Sequence, residues 1–162
     1  MSGGMAGGRA RIVVERRYRA TLKEVWDLWT TKEGFESWWG PQGSHVVVHE
    51  IDARPGGVLR YDMIADTPEM VAAVKRVGAE PIRAVTSRFS ELKPRSRLRL
   101  TEVIDFIPGA DAYECDFAVD FVADGDHVRM VVTLTGVHSA EFAGMQKQGL
   151  ESQLSKLDER FG

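Results

Sequence analysis

Phe35-Glu36-Ser37-Trp38-Trp39-Gly40-Pro41, followed shortly by Asp52-Ala53-Arg54-Pro55-Gly56-Gly57, is the stretch whose reading decides the fold. Two adjacent tryptophans stop at a Gly-Pro breaker, and a strand-like run then reverses at Pro-Gly-Gly. On a helix of ~3.6 residues per turn, neighbours point about 100° apart. Trp38 and Trp39 therefore cannot face the same partner. One is expected to anchor the helix end to the body, the other to lie over an opening or a neighbouring surface. Arg54-Pro55-Gly56-Gly57 suits a turn with proline second and glycine third, where a positive φ is required. Asp52 and Arg54 are expected to brace it.

Towards the N-terminus, residues 11–20 (RIVVERRYRA) carry the β-branched run Ile12-Val13-Val14 and read as a first strand. Thr21-Leu22-Lys23-Glu24 is a capping box, after which Leu22, Val25, Trp26 and Trp29 recur at helical spacing. Thr30-Thr31-Lys32-Glu33 repeats the capping pattern and predicts a second short helix ending at Trp39. The first ten residues, MSGGMAGGRA, are small and flexible and read as a disordered tail ahead of one domain over 11–162.

Towards the C-terminus the period changes to two. His45 to Ala53 is valine-rich, and Val58 to Ile64 places Leu59, Tyr61 and Met63 on one face. Thr67-Pro68-Glu69 then starts a short amphipathic helix over 68–77 that ends at Gly78. Further strands follow at Ile82–Leu92, with a bulge near Ser90-Glu91, and at Arg97–Phe106, Tyr113–Val122 and His127–Gly136. Asp124-Gly125-Asp126 marks a hairpin. From Ser139, the residues Phe142, Met145, Gly149, Leu150, Leu154, Leu157 and Phe161 follow steps of three and four. That stripe predicts about 30 Å of helix at ~1.5 Å per residue, and such a helix needs an apolar groove. The fold class is α+β: a curved antiparallel sheet around a long C-terminal helix, with two short helices after the first strand and an extra one near 68–77.

The chain has 162 residues, 43% apolar and 28% charged, with net charge -3. These are ordinary values for a soluble globular chain. They argue against a nucleic-acid partner. Cys115 is the one cysteine, which excludes an intrachain disulfide and a cysteine-built metal site. No run reaches the ~20 apolar residues of a membrane span, and the first ten residues lack an apolar core of the length a secretory signal needs. The expectation is a cytoplasmic protein.

The element order, Val25-Trp26, Trp38-Trp39-Gly40-Pro41 and Asp52-Ala53-Arg54-Pro55-Gly56-Gly57 together resemble the bacterial homologues of the activator of Hsp90 ATPase. These belong to the START-like, Bet v 1-like (SRPBCC) superfamily, which also includes polyketide cyclases. The resemblance covers roughly residues 11–161. It implies a helix-grip fold, often with a hydrophobic cavity between sheet and terminal helix, but no particular reaction. Many relatives carry a Gly-Trp pair in the terminal helix where this chain has Gly149-Leu150.

Strand and helix parity nominates Tyr61, Met63, Phe89, Phe106 and Phe117, with Phe142 and Met145, as candidates to line such a cavity; Trp38 or Trp39 would stand at its mouth. Glu102 is the most informative residue, since it falls on the apolar phase between Leu100 and Ile104. A buried carboxylate must be paired or protonated, so it meets an arginine or tyrosine, projects into a cavity, or is turned outward by a bulge. His45, His49, His127 and His138 show no metal spacing: the closest pair lies ~13 Å apart along a strand. No metal, cofactor or catalytic group is expected. Cys115 reads as a buried thiol.

The primary reading is a binding protein for a small apolar or amphipathic molecule. An enzyme of cyclase or hydrolase type in the same cavity, and a protein-interaction module with an Hsp90-type partner, are the alternatives. A homodimer through a sheet edge or the terminal helix is left open.

Overall fold

The computed structural model describes residues 11–76, 78–104, 113–135 and 140–161. Among these residues eleven elements follow one another: β1 (Ile12–Tyr18), α1 (Leu22–Thr30), α2 (Lys32–Glu36), β2 (Ser44–Ile51), β3 (Val58–Ala65), α3 (Pro68–Arg76), β4 (Ile82–Lys93), β5 (Arg97–Ile104), β6 (Tyr113–Asp124), β7 (His127–Thr135) and α4 (Ala140–Phe161). The strands form one curled antiparallel sheet of order β1-β7-β6-β5-β4-β3-β2. Helix α4 lies against its concave face, with Leu150, Leu154 and Leu157 buried.

The sheet follows the period-two pattern. Its inner face buries Val46 and Val48, then Leu59 and Tyr61, Val85 and Phe89, Leu98 and Leu100, Cys115, Phe117, Val119 and Phe121, and Val128, Met130, Val132 and Leu134. A register shift between Phe89 and Glu91 marks the bulge in β4. It absorbs the imperfect alternation there, so Glu102 on β5 keeps its inward phase opposite Ser87. Gly125 has φ +65° in the two-residue β6–β7 loop between Asp124 and His127.

Helix α1 starts on the full capping box: Thr21 Oγ1 accepts from the Glu24 amide, and Glu24 accepts from the Thr21 amide. The second short helix differs from expectation at both ends. Its N-cap is Thr31, whose hydroxyl accepts from the Gly34 amide. Three residues past this cap stands Gly34, which has no side chain to reach back, so no second box forms, and the Thr31 amide closes α1 onto the Asp27 carbonyl instead. Thr30 instead hydrogen-bonds back to the Trp26 carbonyl inside α1. The helix ends at Glu36, and Trp38 and Trp39 lie in the turn beyond it. Their divergence therefore comes from that turn and not from helical rotation: the two rings stand at 88°.

The Arg54–Gly57 turn closes by Gly57 N–H donating to the Arg54 carbonyl at 2.8 Å, with Gly56 at φ +81°. Gly56 N–H donates to Phe89 O, and Phe89 N–H donates to Gly57 O, which stitches the turn to β4. Arg54 Nε reaches Asp52 Oδ2 at 2.8 Å on the exposed side. Helix α3 is capped by Thr67 accepting from the Met70 amide. Gly78 at φ +81° follows the helix. None of the described α3 residues is fully buried.

Candidate functional site

A pocket of about 170 Å³ opens between the sheet and α4. Its floor comes from Tyr61 and Met63 on β3, Arg83 on β4, Glu102 on β5, Phe117 on β6 and Leu134 on β7. Trp39 and Pro41 close one side, and Gln146, Gly149, Leu150 and Gln153 of α4 form the roof. These roof positions share one helix face, since steps of three, four and seven fall on the same side.

Trp39 reaches the wall because the chain beyond α2 is tied to α4. Gln153 Oε1 accepts from the Gly40 amide at 2.7 Å, and Ser152 accepts from the Gln42 amide at 2.9 Å. Lys156 Nζ donates to the Ser44 carbonyl, and its partial burial lowers its pKa. Against expectation the two rings share a partner, since Trp39 also meets Trp29 edge-on at 5.5 Å, but Trp38 stays out of the wall. Its indole N–H donates to the Leu28 carbonyl at 2.8 Å, and its ring meets Trp29 edge-on at 4.9 Å.

A chain of hydrogen bonds runs through the wall. Trp39 Nε1 donates to the Tyr61 hydroxyl at 3.0 Å, and Tyr61 donates to Glu102 Oε2 at 3.1 Å. Ser87 Oγ donates to the same oxygen at 3.1 Å. Burial is the dominant influence on Glu102 and raises its pKa. The two hydroxyls and the positive charge of Arg83 pull it back without cancelling that rise. Tyr61 is held well above the normal phenol range, chiefly by burial and next by the neighbouring carboxylate. Tyr61 is therefore a hydrogen-bond relay and not a base, whereas the Glu102 carboxyl group holds its proton to higher pH than an exposed carboxylate does.

A raised carboxyl pKa has a defined sign. The folded protein holds this proton at higher pH than the unfolded chain does. The associated stability is complete below the ordinary carboxylate range and is lost as pH rises through the folded-state value. Glu102→Gln removes that dependence. Its melting temperature relative to wild type should rise as pH climbs from the ordinary carboxylate range through the folded-state value, followed by calorimetry at a series of pH values. Parallel curves would show that Glu102 does not titrate in this way.

The nominated residues separate into groups. Trp39, Tyr61, Met63, Glu102 and Phe117 come together in the wall. Trp38 and Phe89 do not: they are 1% and 0% exposed and pack in the core. Phe89 points inward, but it lies beside the Gly56-Gly57 turn, away from the pocket. Phe106 falls outside the described residues, as do His138 and the first ten positions. Phe142 and Met145 belong to α4, but their side chains also fall outside the description. No α3 residue is in the wall; Met70 packs near Gly43 instead.

Arg83, Gln146 and Gln153 are the polar wall residues that the sequence reading passed over. Arg83 shares the inward phase of β4 with Val85, Ser87 and Phe89, the same signal that singled out Glu102. The two glutamines sit seven apart around Gly149-Leu150, which already marked that helix face. Among the described residues, no group of three or more His, Cys, Asp or Glu is placed to hold a metal. Among them, too, no helix is long and apolar enough to cross a membrane.

Comparison with known proteins bears on this arrangement. The family model described as Activator of Hsp90 ATPase homolog 1-like protein matches residues 19–162. No curated protein matches the sequence. Among solved structures, a protein from Chromobacterium violaceum superposes with a TM-score of 0.75 at 19% identity, covering 94% of this chain and 97% of that one. The AHSA1 protein from Silicibacter pomeroyi gives 0.72 at 19% identity, covering 93% and 96%. The AHSA1-like protein from Aeromonas hydrophila gives 0.66 at 15% identity, covering 93% and 94%. At these identities the likeness establishes the fold.

Proposed function

The chain belongs to the Activator of Hsp90 ATPase homolog 1-like family, and from that premise we propose that it binds a small apolar or amphipathic molecule between sheet and terminal helix. The observation that carries this reading is a pocket with apolar walls built around one buried hydrogen-bonded chain, Trp39 to Tyr61 to Glu102. Ligand sites combine mostly apolar walls with a few fixed polar groups that set orientation. A volume of about 170 Å³ holds a ring-sized head group, with any longer body projecting through the mouth. Apolar burial at ~25 cal/mol per Å² supplies the affinity. The wall chain gives direction to the bound molecule. We place the protein in the cytoplasm, as one domain following a short N-terminal tail.

A thermal-shift screen against fatty acids, sterols and phenolic compounds tests this. A bound ligand at 100 times its Kd stabilises the native state by ~2.7 kcal/mol, so hits raise the melting temperature by several degrees. The control is Gly149→Leu. A Cβ at Gly149 would meet nothing within 4 Å, so leucine fills the pocket without a clash at its base. Hits on wild type should be lost in the variant. A protein-interaction role predicts the opposite pattern: no hit in the screen, and retention on immobilised Hsp90.

A further inference from the structure

The wall holds one buried acceptor with no donor among the described residues, while the donors that line the hydrogen-bonded chain are engaged. The Trp39 indole donor goes to Tyr61, and the Tyr61 hydroxyl donor goes to Glu102. The Ser87 hydroxyl also goes to Glu102, and Gln153 Oε1 is satisfied by the Gly40 amide. Both hydroxyls address Glu102 Oε2, so Oε1 receives neither. Across the pocket, Gln146 Oε1 is buried and has no donor among the described residues. A buried acceptor left without a donor costs free energy until something supplies one, and such groups in native structures call for a physical reason.

Arg83 also lies in the wall, and its charge acts on Glu102. An anion drawn to that guanidinium would sit beside the Glu102 carboxyl group and meet a like charge or force it to stay protonated. An uncharged donor meets no such penalty. Resting on the ligand-binding reading above, we infer that the ligand presents a neutral hydrogen-bond donor, a hydroxyl on a compact ring, to the acceptor pair of Gln146 Oε1 and the Glu102 carboxyl group. A benzene-sized cavity is ~150 Å³, so a phenol-sized head matches the space of about 170 Å³.

Three probes of similar size separate the terms: phenol carries a donor, toluene carries no polar group, and benzoate carries an anionic acceptor. Titrations are followed by the indole N–H resonance of Trp39 in two-dimensional NMR. Phenol should bind about tenfold tighter than toluene, as one hydrogen bond implies, and benzoate should bind weakest. Gln146→Leu should reduce the phenol advantage to within about threefold while toluene still binds. Toluene matching phenol, or benzoate exceeding it, overturns the donor assignment and leaves the pocket standing. Binding of none of the three overturns both. The wild-type series decides the matter even if the variant folds poorly.

Discussion

Trp38→Ala should lower the free energy of unfolding by about 3–5 kcal/mol, as deletion of a large buried aromatic does. Trp38 is 1% exposed and joins the last turn of α1 to the chain beyond α2. Its ring packs edge-on against Trp29 at 4.9 Å and against Trp39 at 5.1 Å. Alanine removes these contacts and the bond to the Leu28 carbonyl together. Trp38→Phe keeps much of the ring volume but loses the donor, leaving a buried carbonyl unpaired, so it should cost about 1–3 kcal/mol. Urea denaturation measures both, with the m-value expected to hold. A loss below about 1 kcal/mol for alanine would place Trp38 outside the core, against the packing described here.

The second large effect separates two neighbouring glycines. Gly57→Ala should be severely destabilising, because its Cβ would lie 1.8 Å from the Asp52 carbonyl oxygen. That obstacle is backbone, so relief requires the turn to open. Opening threatens the Gly57–Arg54 bond and both bonds to Phe89. Gly56→Ala meets nothing within 4 Å and suffers only its φ of +81°. The left-handed region costs a non-glycine residue roughly 1–2 kcal/mol. Thermal unfolding of the two variants should therefore rank Gly57→Ala well below Gly56→Ala. Equal losses would mean that conformational freedom, and not close approach, fixes the second glycine.

Much of this fold was legible because the sheet obeys a simple period. Leu59 and Tyr61, or Phe117, Val119 and Phe121, announce their face by alternation alone. The Thr21–Glu24 box and the Thr67 cap were equally plain, since each needs only a hydroxyl three residues before an amide. The second cap was misplaced by one residue because Thr30 and Thr31 offer the same chemistry. The choice was made by the Thr31 amide, which α1 had already engaged.

The site was less legible for a related reason. Parity says which side chains point inward, but not whether α4 or empty space lies opposite. Phe89 and Phe117 carry the same inward signal, yet only Phe117 borders the pocket. The difference lies in their position along the sheet relative to the helix, which no local pattern encodes. Glu102 stood out as a carboxylate in an apolar phase. Arg83 on β4 satisfied the same criterion. The separation of Trp38 from Trp39 depended on a turn tied by Gln153, 113 residues away from Gly40.

The most direct test of the central claim is where a bound molecule sits. Compounds that raise the melting temperature should be titrated into 15N-labelled wild type and Gly149→Leu, following backbone and indole resonances. The expected result is that the Trp39 indole and Gly40 amide shift in wild type and stay still in the variant, whose added side chain fills the pocket. Shifts confined to the outer face of the sheet, or binding unchanged in Gly149→Leu, would contradict a ligand site between sheet and helix.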